Sequence, residues 1–169
     1  MNLKSHVDRD GFAILSNCIN QETAQGLQAD FPGDRGPDRN VLSLPSVRAL
    51  ATSHSVRDIV EKILGSECFA VRGIFFNKTR QANWKVVWHQ DLTIAVREQK
   101  PVEGFGPWTT KAGICHVQPP SAIMSGMLSI RLHLDESHSD NGPLRVIPGT
   151  HNLGRLSAPE SRYSRKATV

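Results

Sequence analysis

The chain has 169 residues, of which 38% are hydrophobic and 21% charged, with a net charge of +4. That is the composition of one globular domain, and it excludes a disordered, fibrous or collagen-like chain. No apolar run reaches the length of a membrane span, and all but one unit of the positive excess lies in the last 15 residues, where Arg155, Arg162, Arg165 and Lys166 face only Glu160. This is a basic tail on a nearly neutral body, so no nucleic-acid partner is expected.

Met1 to Asp10 is polar and mixed in charge, without the apolar stretch of a secretory leader. The expected compartment is the cytoplasm. The three cysteines, Cys18, Cys68 and Cys115, are widely spaced and form no CxxC. Free thiols are therefore expected rather than a zinc knuckle or a redox pair.

The first third reads as helical. Asn20 can cap a helix whose apolar positions are Ala24, Leu27 and Phe31, and Pro32-Gly33 stops it. Residues 31–40, rich in Pro, Gly and Asp, read as a loop. Val56, Ile59, Val60, Ile63 and Leu64 form one helical stripe, with Ser55 as its expected cap and Gly65 as its left-handed end. Beyond Gly65 the pattern changes. Phe69 to Phe76 and part of Trp84 to Val96 suit strands. Pro101 to Pro120 reads as a long connection. Met127 to Asp135 alternates as a strand, with Leu128, Ile130, Leu132 and Leu134 on one side and Ser129, Arg131, His133 and Asp135 on the other. Asp140-Asn141-Gly142 signals a turn, and Leu144 to Ile147 reads as a returning strand ended by Pro148-Gly149. Helices followed by antiparallel strands predict an α+β arrangement, with the helices supporting a β-sandwich or barrel.

The chemistry concentrates in Trp88-His89-Gln90-Asp91. In an extended chain residues i and i+2 share a face, so His89 and Asp91 can reach one metal ion together, while Gln90 points the other way. Two His and one carboxylate leave three positions open on Fe(II), enough for a bidentate keto acid and O₂. Taken alone, His-x-Asp is a weak signal.

Its surroundings sharpen it. The runs VRGIFFNKTRQANWKVVWHQDLTIAV, GFGPWTTKAGICHVQPP, LSIRLHLDE and NGPLRVIPGTH resemble the phytanoyl-CoA dioxygenase (PhyH) family, over about Asp8 to Leu156. The resemblance implies a double-stranded β-helix, a cupin-like jelly roll, with supporting N-terminal helices. It implies Fe(II) as cofactor and 2-oxoglutarate as co-substrate, with O₂ and a small organic molecule as the other reactants. His89 and Asp91 become the proximal iron ligands, and Asp91 argues against the halogenase branch, where a small residue replaces it. Lys78 is placed near the 2-oxoglutarate carboxylate, against the plainer reading of a strand-end surface lysine. Arg131, with His133, is read as cavity-lining and bordering the co-substrate, against a plain wet face. Trp108 either shapes the substrate mouth or packs. His151 is expected to hold the PGTH turn by a hydrogen bond. His116 and His138 fall in expected loops, and His6 and His54 in the exposed helical third; none of these four is given a role.

The family's third ligand, a distal His, and an Arg beyond it lie well past the PGTH turn. The 18 residues after His151 contain no His. The sequence therefore reads as a jelly-roll domain over 1–156 whose last strands are missing, followed by a polar basic tail over 157–169. His133 is a conceivable substitute ligand, although the resemblance puts its position beside the co-substrate. The alternative to a dioxygenase is a non-catalytic jelly-roll remnant or binding module. The organic substrate and the oligomeric state are not readable.

Overall fold

The computed structural model describes residues 2–32, 36–77, 86–136 and 143–156. Five helices and three strands appear in it: α1 (Leu3–Asp10), α2 (Gln21–Asp30), α3 (Pro45–Thr52), α4 (His54–Leu64), β1 (Ile94–Val96), β2 (Trp108–Lys111), β3 (Ile114–Val117) and α5 (Ser121–Ser125). Short 3-10 turns cover Val41–Ser43 and Thr150–Leu153. Helices come first and an antiparallel sheet follows, as the sequence predicts. The second sheet of a jelly roll is not among the described residues.

The helices start where side-chain oxygens can take up free backbone amides. Asn20 Oδ1 accepts from Thr23 N at 2.8 Å, the expected cap of α2. Asn2 Oδ1 does the same for Ser5 N and starts α1, a helix the polar N-terminus conceals. The cap of α4 is Ser53, whose Oγ accepts from Val56 N at 3.4 Å, two residues ahead of the expected Ser55. Gly65 takes the positive φ expected of it, at 90°, but with ψ at 170° rather than in the left-handed helical well. Arg57 of α4 reaches the following turn, donating to the Ser66 carbonyl at 2.8 Å and also to that of Cys68.

Two close approaches tie the helices to the later chain. The ring of Phe31, at the end of α2, stacks on Phe75 with centroids 4.2 Å apart. Phe75 also pairs through its backbone with Asp38, and the Gly73 carbonyl accepts from Val41 N. A Cβ on Gly73 would lie 2.9 Å from Leu42 N, so this ribbon closes only over glycine. At the other end, the Pro148-Gly149 turn docks on α1. Gly149 N donates to the Asp10 carbonyl, and the Asp8 carbonyl meets His151 Nε2 at 3.1 Å and Asn152 Nδ2 at 3.2 Å. His151 thus has the structural role expected of it.

Three expected elements differ. The Pro101 to Pro120 connection contains the β2–β3 hairpin. Its two-residue turn, Ala112-Gly113, has positive φ at both positions, 51° and 76°, the pattern whose twist matches paired strands. The proline and glycine content hid it, since all of those residues except Gly113 in the turn flank the hairpin. Phe69 to Phe76 contributes only the bridge at Phe75. Met127 to Asp135 forms no ladder: its polar positions are exposed and Leu128, Leu132 and Leu134 are half-buried, but alternation supplies one strand and a ladder needs a neighbour. Leu144 to Ile147 likewise forms no regular strand. The Asp140-Asn141-Gly142 turn lies outside the described residues.

Gly11 gives a direct check of the α1 contact. Its φ is 84°, and an added Cβ would sit 2.4 Å from His151 Nδ1. Gly11→Ala is expected to lower stability by about 2 kcal/mol, through the left-handed backbone and the collision. Gly26→Ala, inside α2 with open space around it, is expected to raise stability by roughly 0.5–1 kcal/mol. Urea-unfolding midpoints of the two variants against the parent measure both.

Candidate metal site and the buried face beside it

The sheet order is β1-β3-β2, with β3 in the middle. In register, His116 of β3 lies between Ala95 of β1 and Thr109 of β2, and Val117 lies between Ile94 and Trp108. Directly paired residues of antiparallel strands project to the same side, and neighbours along a strand to opposite sides. One face therefore carries Ala95, Thr109, Lys111, Ile114 and His116; the other carries Ile94, Val96, Trp108, Cys115 and Val117. Trp108 sits half-buried opposite the fully buried Val117 and away from His116, which makes it a packing residue of the second face.

Residues 89–93 precede β1 outside the ladder, and side-chain contacts locate them. Lys111 Nζ donates to Thr93 Oγ1 at 3.2 Å, which puts Thr93 on the His116 face. His89 Nε2 lies 3.8 Å from Asp91 Oδ1, so the two side chains stand together as their spacing predicts. Gln90, on the opposite side, clasps the chain near the PGTH turn. Its Nε2 donates to the Gly154 carbonyl and its Oε1 accepts from Leu156 N, both at 2.8 Å. Trp88 lies under the Arg145 guanidinium, 5.5 Å from ring centre to cation. The residues flanking the motif are thereby fixed by the segment that follows residue 143.

The donors suit a divalent metal. His89 Nδ1 is 2.8 Å from the Val87 carbonyl. An N–H at Nδ1 satisfies that carbonyl and leaves the lone pair on Nε2, the arrangement that orients a ligating histidine. The Asp91 side chain is 92% exposed, and its 3.8 Å separation from His89 is beyond hydrogen-bond distance. Two lone-pair donors 3.8 Å apart leave room for a cation between them. With metal–ligand bonds of about 2.1 Å, adjacent octahedral donors stand roughly 3.0 Å apart, so a small rotation of the exposed carboxylate closes the pair. Among the described residues no third His, Cys, Asp or Glu joins them. His133 is exposed and is not brought to the pair. Arg131 is also exposed, and Lys78 lies outside the described residues, as does His138.

His116 corrects the sequence reading. It lies on the central strand rather than in a loop, it is fully buried, and neither ring nitrogen has a hydrogen-bond partner. Burial, then the nearby cations Arg72, Lys111 and Arg39, hold its pKa below the ordinary histidine value. Arg72 is the second hidden group: its Nε and Nη2 are buried and also lack partners. Burial and Arg39 depress its pKa, and the carboxylate of Asp91 partly offsets them. The only sequence signal for this cluster was parity: residues 89, 91, 93 and 95 share a side. Which cations cover that side follows from chain path.

A histidine with a depressed folded pKa binds its proton more readily when unfolded. Its stabilising effect is therefore full above the ordinary value of 6.5 and shrinks as pH falls below it. Stability is expected to drop between about pH 7 and pH 5. His116→Leu should flatten that acid limb, as read from urea midpoints across pH.

No helix among the described residues is long and apolar enough to cross a membrane. The sequence profile of the phytanoyl-CoA dioxygenase (PhyH) family matches residues 33–167. The chain is also 24% identical over 170 residues to ectoine dioxygenase of Streptomyces coelicolor, a match that takes in 94% of this chain and 54% of that protein. The chain thus spans about half the length of the curated relative it matches. No solved structure matches. The His-x-Asp pair stands inside the matched span, and with it the chain belongs to the phytanoyl-CoA dioxygenase (PhyH) family.

Proposed function

We propose that the chain carries the iron site of an Fe(II)- and 2-oxoglutarate-dependent dioxygenase, a hydroxylase of a small organic substrate, with His89 and Asp91 as two of the metal ligands. The observation that carries this reading is the pair itself: a histidine held at Nδ1 by a backbone carbonyl, with its Nε2 facing an exposed carboxylate. Family membership supports it, as does the similarity to ectoine dioxygenase of Streptomyces coelicolor. The fold proposed around the pair is the jelly roll of the family, with β1 to β3 as part of one of its sheets.

Bound Fe(II), with 2-oxoglutarate and O₂, would supply the oxidising chemistry that hydroxylates a C–H bond and releases succinate and CO₂. The protein's own residues hold and orient. Val87 fixes the His89 ring, so Nε2 presents its lone pair without a reorganisation cost. Asp91 adds negative charge, which favours a hard divalent cation. Gln90 pins the strand from the opposite side, limiting the drift of both ligands. Lys78 and Arg131 are proposed to bind the co-substrate carboxylates, since cations recognise them through charge-assisted hydrogen bonds.

A second reading has an observation of its own. Two protein donors hold Fe(II) weakly, and no third joins them among the described residues. On that reading the chain is a non-catalytic jelly-roll binding module.

Anaerobic titration with Fe(II), with and without 2-oxoglutarate, separates the two. The dioxygenase reading expects the weak visible charge-transfer band of the chelated complex in the parent chain, and its loss in both His89→Ala and Asp91→Ala. Absence of the band in all three chains would favour the binding module.

A further inference from the structure

The His89–Asp91 pair is presented to solvent. Its two side chains are 53% and 92% exposed. The residues just before it, Val86, Val87 and Trp88, are exposed as well, at 56%, 81% and 40%. The other described histidines do not complete it. His116 is fully buried in the sheet. His151 meets the Asp8 carbonyl, and His6 meets the Asp10 carboxylate. His54 and His133 are exposed but are not brought to the pair, and no third His, Cys, Asp or Glu joins it among the described residues.

A divalent ion held by one neutral imidazole and one carboxylate keeps a net positive charge, and most of its coordination positions are left to water. A second identical pair removes both deficits. Two imidazoles and two carboxylates supply four donors and cancel the charge of the ion. Two-fold association delivers that second pair, because each copy then presents the same patch to the other. Val86 and Val87 adjoin the pair along the chain, so their exposed apolar surface would leave water in the same event. The donors are also held in advance. The Val87 carbonyl fixes the His89 ring, and the Gln90 side chain is tied to Gly154 and Leu156. Ordered donors lose less freedom when they bind.

We propose that His89 and Asp91 form one half of a divalent-metal site shared between two copies of this chain, with a single ion joining the two pairs. The inference rests on the metal-binding role given to this pair under the proposed function, and it is independent of dioxygenase chemistry.

The test is sedimentation velocity of the full 169-residue chain, titrated anaerobically with Fe(II) and in parallel with Co(II), its neighbour in the affinity order of divalent metals. The apparent mass is expected to rise from 18.6 kDa toward twice that value, with the rise complete near half an equivalent of metal. It should fall back in metal excess, when each pair takes its own ion, and EDTA should reverse the association. His89→Ala and Asp91→Ala change exposed side chains, and circular dichroism checks their folding. Each is expected to need at least tenfold more metal to associate. The stoichiometry of the parent chain needs no variant at all. A mass that does not respond to metal, or association that persists unchanged in both folded variants, overturns the proposal. A monomeric one-to-one complex that shows the charge-transfer band with 2-oxoglutarate also overturns it, while leaving the dioxygenase reading in place. A half-equivalent dimer that never shows the band supports the shared site and removes the dioxygenase reading.

Discussion

Strand alternation is the constraint on which the site depends. Over β1, β2 and β3 it divides the sheet into two chemically different faces. Ala95, Thr109, Lys111, Ile114 and His116 share one side, and the Lys111 hydrogen bond reaches Thr93 just ahead of β1. Ile94, Val96, Trp108, Thr110, Cys115 and Val117 make the other, which carries no charged side chain. A one-residue slip between β1 and β3 would exchange the faces and bury Val117's neighbours where the cations now lie. The pairing of Ala95 with His116 therefore decides what surrounds the metal pair.

The helices contribute by reaching forward to the later chain. Phe31 holds Phe75, and through it the ribbon that carries Arg72. The end of α1 holds the Pro148-Gly149 turn, and the residues just beyond that turn are clasped by Gln90 between the two metal-site side chains. These contacts have long sequence separation and few apolar groups behind them. Leu27, Val41 and Val117 are the buried hydrophobic side chains among the described residues, while Phe69 and Val87 are 78% and 81% exposed. Placement of the site rests on hydrogen bonds, one aromatic stack and glycine-permitted close approaches as much as on a packed core.

Several of these features were legible beforehand. Asn20, Leu27 and the apolar stripe of α4 follow from local rules, because caps and helical periodicity are satisfied within a few residues. His89 and Asp91 follow from spacing and motif context, and the PGTH histidine follows from its place in a turn. The hairpin at Trp108–Val117 was missed because Pro and Gly around it outweighed the positive-φ pair Ala112-Gly113 inside it. The strand expected over 127–135 shows the converse: its alternation is present in the burial of Leu128, Leu132 and Leu134, but no partner strand pairs with it.

The sequence alone determined the helical first third and the family, and singled out the His89–Asp91 pair, since each depends on residues close together or on motifs in fixed order. Only the tertiary structure decided that His116 is buried on a central strand, that two guanidinium nitrogens of Arg72 are buried without partners, and that Gln90 ties the motif to residues 154–156. The physical reason is distance along the chain. Burial and electrostatic surroundings are sums over neighbours brought from afar, and no window of sequence contains those neighbours.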